Sequence, residues 1–143
     1  MVGVDGSQQS RRALKWAVGY ALLLDTSVQA LMTVPPTDDS AETHANLREA
    51  EASLESFVAE VLDGVDPAPP VAFEVEAGDP AVALVNASRS AQVLVLGSHG
   101  MSKISNPSLG SVSLACIRMG SCPVVVIPPG KPEPLDDVEL NVG

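Results

Sequence analysis

The sequence predicts an α/β domain, a doubly wound parallel sheet with helices on both faces, and three observations carry that expectation. Hydrophobic residues make up 45% of the 143 residues while aromatics supply only 3%, the aliphatic interior that sheets buried on both faces use. Short branched-aliphatic runs alternate with longer stretches whose apolar residues recur at i, i+3 and i+4. The clearest of the short runs, Val93 to Leu96, stops at Gly97 and leads through a second glycine, a loop and a third glycine into a helical stretch. A chain of this length fits one domain with one core.

The elements follow in order. Met1 to Val4 is a short strand ending at Asp5-Gly6-Ser7, and Gln8 to Leu24 places Ala13, Leu14, Ala17, Val18, Ala21 and Leu24 at helical spacing. Ser7 or Ser10 can cap this helix, because a hydroxyl there accepts from an orphan N–H. Val28 to Val34 is branched and alternating, and Pro35-Pro36 ends it, since proline donates no N–H and restricts the residue before it. Asp38 to Leu62 carries Leu47, Ala50, Leu54, Phe57, Val58 and Val61 on one stripe with glutamates between them, an amphipathic helix. After the proline-rich connector 66–70, Val71 to Val75 alternates as a strand. Pro80 is well placed in the first turn of a short helix over Ala81 to Ser88. The Val93 strand, a helix running to Met119, and the strand Cys122 to Ile127 complete a βαβαβαβαβ order. With right-handed crossovers, five strands give the flavodoxin-like or Rossmann-like order 3-2-1-4-5. Its switch point falls between the first and fourth strands, so Asp5 and Gly97 should meet there. Residues 1–129 form the expected domain; 130–143, acidic and proline-containing, read as a mobile tail.

Eight basic against eighteen acidic residues give a net charge of −10, which opposes binding a nucleic-acid backbone. No apolar stretch reaches the roughly 18 residues of a membrane span, and Met1 runs into strand-like sequence without a secretory leader, so a cytoplasmic setting is expected. Cys116 and Cys122 read as buried structural thiols, with neither a disulfide nor a zinc site implied. His44, without a ligating partner at suitable spacing, reads as solvent-exposed. His99 lacks the orienting partner that a general base requires, and contact with phosphate or solvent suits it better.

Gly97, Gly100 and Gly110, followed by Ser111, Val112 and Ser113, make a candidate anion site. Glycines let backbone approach a ligand, and a helix start offers unpaired N–H groups and a positive dipole end. The same glycines could instead serve only as a turn and a helix start. Asp5, at the carboxyl end of the first strand, suits either a ligand contact or a bond to local backbone. Neither a Walker loop nor a dinucleotide fingerprint is present.

The pattern Gly97-x-x-Gly100, nine residues, Gly110-Ser111, then Cys122-Pro123-Val124-Val125-Val126, resembles the ATP-binding signature of the universal stress protein family. Val2-Gly3-Val4-Asp5-Gly6-Ser7 resembles that family's first strand and loop, and the likeness runs from about Val2 to Pro128. The resemblance implies a nucleotide-binding protein with ATP, or AMP, as ligand and Mg²⁺ as a further candidate. Asp5 would lie on the adenine side, Val34 at the adenine pocket by its backbone, and Gly97, Gly100, Gly110, Ser111, Val112 and Ser113 on ribose and phosphates, the hydroxyls of Ser111 and Ser113 included. It further implies a homodimer through the last strand, Val124 to Ile127, and a sensor or interaction role in the stress response rather than an enzyme. Two alternatives stand beside it: a member that has lost nucleotide binding and serves as a dimeric interaction module, and a slow ATPase. The loop is the departure. Met101 stands where the family usually has a basic residue, Asn106 can replace a glycine because it tolerates positive φ, Pro107 stiffens the segment, and Lys103 is the cation left nearby.

Overall fold

The computed structural model describes residues 1–99 and 109–130. Five parallel strands, β1 (Val2–Gly3), β2 (Val28–Val34), β3 (Val71–Ala77), β4 (Leu94–Gly97) and β5 (Val124–Ile127), form one sheet in the order β3-β2-β1-β4-β5. The helices between them are α1 (Gln8–Leu24), α2 (Ser40–Leu62), α3 (Pro80–Ala87) and α4 (Ser111–Met119), with a 3-10 turn at Ser88–Ser90. The expected α/β class and the 3-2-1-4-5 order are what the structure has. Boundaries move by small amounts: β3 runs on to Ala77, and β4 and β5 each begin a residue or two later than the apolar runs suggest.

Local chemistry explains the helix starts. Ser7 caps α1, its hydroxyl accepting from Ser10 N–H. Asp39 caps α2 through Ala41 N–H, and Asp79 caps α3 through Val82 N–H, with Pro80 at the first helical position. α4 differs: Gly110 precedes it and no side chain caps it.

Strand alternation sends side chains to two cores. Val2, Val28, Ala30 and Val95 pack under α1 and α2, whereas Leu31, Leu94 and Leu96 join Ala83, Leu84 and Cys116 beneath α3 and α4. A Cβ on Gly3 would sit 2.7 Å from Leu96 Cδ2, so a side chain there would displace the Leu96 tip. Cys116 is fully buried and Cys122 half-buried, both free. Burial, with the neighbouring Cys122 second, pushes the Cys116 thiol upward, as expected of an inert core cysteine. His44 is exposed, with Nδ1 2.7 Å from Ser40 O. No described helix is long and apolar enough to cross a membrane. Of the tail expected over 130–143, all but Gly130 lies outside the described residues.

Candidate functional site

A cleft of about 610 Å³ opens at the carboxyl edge of the sheet, between the ends of β1, β2 and β4 and the start of α4. Asp5, Gly97, Gly110, Ser111, Val112 and Ser113 all line it, so the residues named from opposite ends of the sequence come together. β1 pairs with β4 through Val2 and Val95, which brings the loop after β1 beside the loop after β4. Gly100 lies outside the described residues, as do Met101, Lys103, Asn106 and Pro107.

The first turn of α4 is the chemical centre of the cleft. Gly110 N–H donates to Ser98 O at 2.7 Å, and Leu114 N–H closes the first intrahelical bond on Gly110 O at 3.0 Å. With no side-chain cap, the amides of Ser111, Val112 and Ser113 have no acceptor among the described residues, and the positive end of the helix dipole lies with them. The Ser113 hydroxyl is already committed, donating to Gly97 O at 2.9 Å. What Ser113 can offer an anion is its N–H. Ser111 is exposed and lines the cleft.

Gly97 is small for a reason that involves no ligand. A Cβ there would stand 2.9 Å from Gln9 Cβ and 3.0 Å from the Gln9 carbonyl carbon, so the first turn of α1 packs directly on it. That approach lets the Gln9 side chain reach across: its Oε1 accepts from Ser98 Oγ at 3.0 Å and from His99 N–H at 2.9 Å. Gln9 therefore clasps the loop after β4. Sequence gave no sign of it, because a polar residue in the first turn of a helix acquires a partner ninety positions away only through the fold.

Asp5 fulfils the local expectation and keeps the other open. Its Oδ1 accepts from Ser7 N–H at 3.0 Å, while the exposed carboxylate lines the cleft. Val34 is not among the lining residues; Leu31, Thr33 and Pro35 are, and the Val34 carbonyl accepts Gly78 N–H at 2.9 Å. The side chains of this strand follow period-two alternation. Leu31 faces the α3 and α4 side on which the cleft opens, so Thr33 and Pro35 follow it there, whereas Val34 shares the opposite face with Ala30 and Met32. His99 also lines the cleft and is only 7% exposed. Among the described residues, no group of three or more His, Cys, Asp or Glu side chains gathers as a metal would need.

Residues 1–128 match the family model described as the Universal stress protein family. The universal stress protein Rv2028c of Mycobacterium tuberculosis (strain ATCC 25618 / H37Rv) is 30% identical over 132 residues, covering 90% of this chain and 47% of the relative. The chain thus spans about half the length of that relative. Among solved structures, the universal stress protein from Archaeoglobus fulgidus in complex with dAMP superposes with a TM-score of 0.64 at 20% identity, covering 88% of this chain and 94% of the other. A universal stress protein in complex with cAMP superposes with a TM-score of 0.61 at 25% identity, covering 88% and 93%.

Proposed function

The chain belongs to the universal stress protein family, and on that premise we propose that its cleft holds an adenine nucleotide, ATP or AMP, with the phosphates on the first turn of α4 and the base and ribose toward Asp5. The observation that carries this is the uncapped start of α4, whose free amides open into a cleft at the switch point of the sheet. The two solved relatives bound to dAMP and cAMP support an adenine-type ligand. Two features fit the orientation. A carboxylate beside phosphates would be repelled, whereas near base or ribose Asp5 accepts from an amine or hydroxyl. The lining on the β2 side, Leu31, Thr33, Pro35 and Leu84, is largely apolar, as a base requires. Any Mg²⁺ would rest mainly on phosphates and water, since Asp5 is the one carboxylate lining the cleft among the described residues.

The protein acts, in this reading, as a cytoplasmic sensor or interaction module of the stress response that binds nucleotide rather than turning it over. Two substitutions test it together. Asp5→Ala weakens ATP and adenosine alike by ~1–3 kcal/mol, the cost of leaving a donor that the bound ligand buries without its acceptor. Ser111→Ala weakens ATP and leaves adenosine nearly unchanged in calorimetric titration. Should Asp5→Ala bind normally yet abolish a measurable ATPase, Asp5 is a catalytic group and the protein an enzyme.

The reading includes a homodimer through β5. That strand ends the sheet order, pairs with β4 alone among the described strands, and carries four apolar residues that are each half-buried. An apolar edge of this kind calls for cover. Sedimentation equilibrium at tens of micromolar, roughly the range in which exposed edges associate, should give the dimer mass; a clean monomer contradicts it.

A further inference from the structure

His99 is buried in the wall of the cleft, and its Nε2 has no hydrogen-bond partner among the described residues. Buried polar atoms are almost always paired, so this one calls for an explanation, and the surrounding bonds say what Nε2 can do. His99 N–H can only donate, so the Gln9 atom that receives it at 2.9 Å is the amide oxygen. The same oxygen takes the single hydroxyl proton of Ser98 at 3.0 Å. The contact of 3.2 Å between Ser98 Oγ and His99 Nδ1 therefore runs the other way, from Nδ1–H to the hydroxyl oxygen. With Nδ1 protonated, Nε2 carries the lone pair in the neutral ring and gains an N–H only as imidazolium.

The place of the residue in the cleft selects between those states. A Cβ on Gly110 would stand 3.6 Å from His99 Cα, which puts His99 against the start of α4, where the phosphates are assigned. His99 is the only side chain lining the cleft, among the described residues, that can take a positive charge. From α1, Gln9 faces it and is neutral; Arg11 pairs with Glu60 and Arg12 reaches Pro128 O. From α4 the nearest charge on the helix itself, Arg118, lies in the last turn. Asp5 is the other titratable group in the cleft. We infer that His99 binds a phosphate oxygen of the ligand through a protonated Nε2, so that nucleotide uptake carries a proton and weakens as pH rises. Gln9 is the positioning residue that sets the tautomer through Ser98. The inference rests on the nucleotide reading of the cleft and adds a pH-linked contact to it.

The sign follows from linkage. An unperturbed histidine titrates near ~6.5, and a bound phosphate raises that value. Affinity is then greatest below the free-state pKa, falls about tenfold per pH unit above it, and levels off above the bound-state pKa. ATP is titrated calorimetrically into the wild type and into His99→Gln from pH 6 to pH 8.5, in buffers of differing ionisation enthalpy. The free ligand's phosphate titration is common to both proteins and cancels in the comparison. The expected result is proton uptake by the wild type that His99→Gln lacks. The sequence holds two histidines, so ring C–H resonances follow the wild type directly, even if the variant does not fold: ATP should raise the pKa of His99 and leave exposed His44 alone. Parallel pH profiles, or a His99 pKa that ATP leaves in place, overturn the inference while leaving nucleotide binding intact. Absence of ATP binding at every pH removes both.

Discussion

Gly97→Ala is expected to cost about 1–3 kcal/mol of stability, the usual range for forcing a methyl into packed structure. The new Cβ would meet the Gln9 carbonyl carbon at 3.0 Å and its oxygen at 3.1 Å as well as Gln9 Cβ at 2.9 Å. Those are atoms of a helix first turn, fixed by the Ser7 cap, and they cannot swing aside as the tip of a long side chain could. Relief requires α1 to move off β4, which also lengthens the two bonds that Gln9 Oε1 makes to the loop after β4. In urea the midpoint should fall with little change in slope, and Tm should drop by roughly 3–10 °C. An unchanged midpoint would mean that α1 does not approach the strand as described.

Gly110→Val is expected to abolish nucleotide binding while the chain stays folded. The substituent would meet Ser98 O at 3.2 Å and His99 Cα at 3.6 Å, so the branched side chain wedges the start of α4 away from the loop. Hydrogen bonds to charged groups contribute roughly 1.5–3 kcal/mol each, and losing two of the first-turn amides lowers ATP affinity on the order of a hundredfold or more. The helix itself continues, because Leu114 N–H and the residues after it keep their bonds. Calorimetry with ATP and far-ultraviolet circular dichroism together read both halves. Unchanged affinity in the folded variant removes the phosphates from this helix.

Most of the architecture was legible because each element obeys one period. The Leu14, Ala17, Val18, Ala21 stripe is buried on α1, and the unbroken apolar run at 94–96 is buried on both faces as a central strand should be. The meeting of Asp5 with Gly97 followed from strand order alone. What could not be read was tertiary. Gly97 looked like a ligand glycine and is also a packing glycine, since the sequence does not show α1 folding back over it. Ser113 looked like a phosphate ligand by its hydroxyl, but that proton goes to the Gly97 carbonyl. Val34 was assigned by resemblance to a backbone position, whereas side-chain alternation places its neighbours Thr33 and Pro35 in the cleft. Gly100 and the altered segment 101–108 fall outside the described residues.

The central claim is that the cleft between Asp5 and the start of α4 takes an adenine nucleotide. Mass spectrometry of small molecules released on denaturing the gently purified protein, after saturation with a mixture of ATP, AMP and GTP and removal of the excess, tests it most directly. The account predicts that adenine nucleotide is retained selectively, near one per chain, and is lost from Gly110→Val. Retention of none, or of guanine and adenine nucleotides without preference, would contradict it.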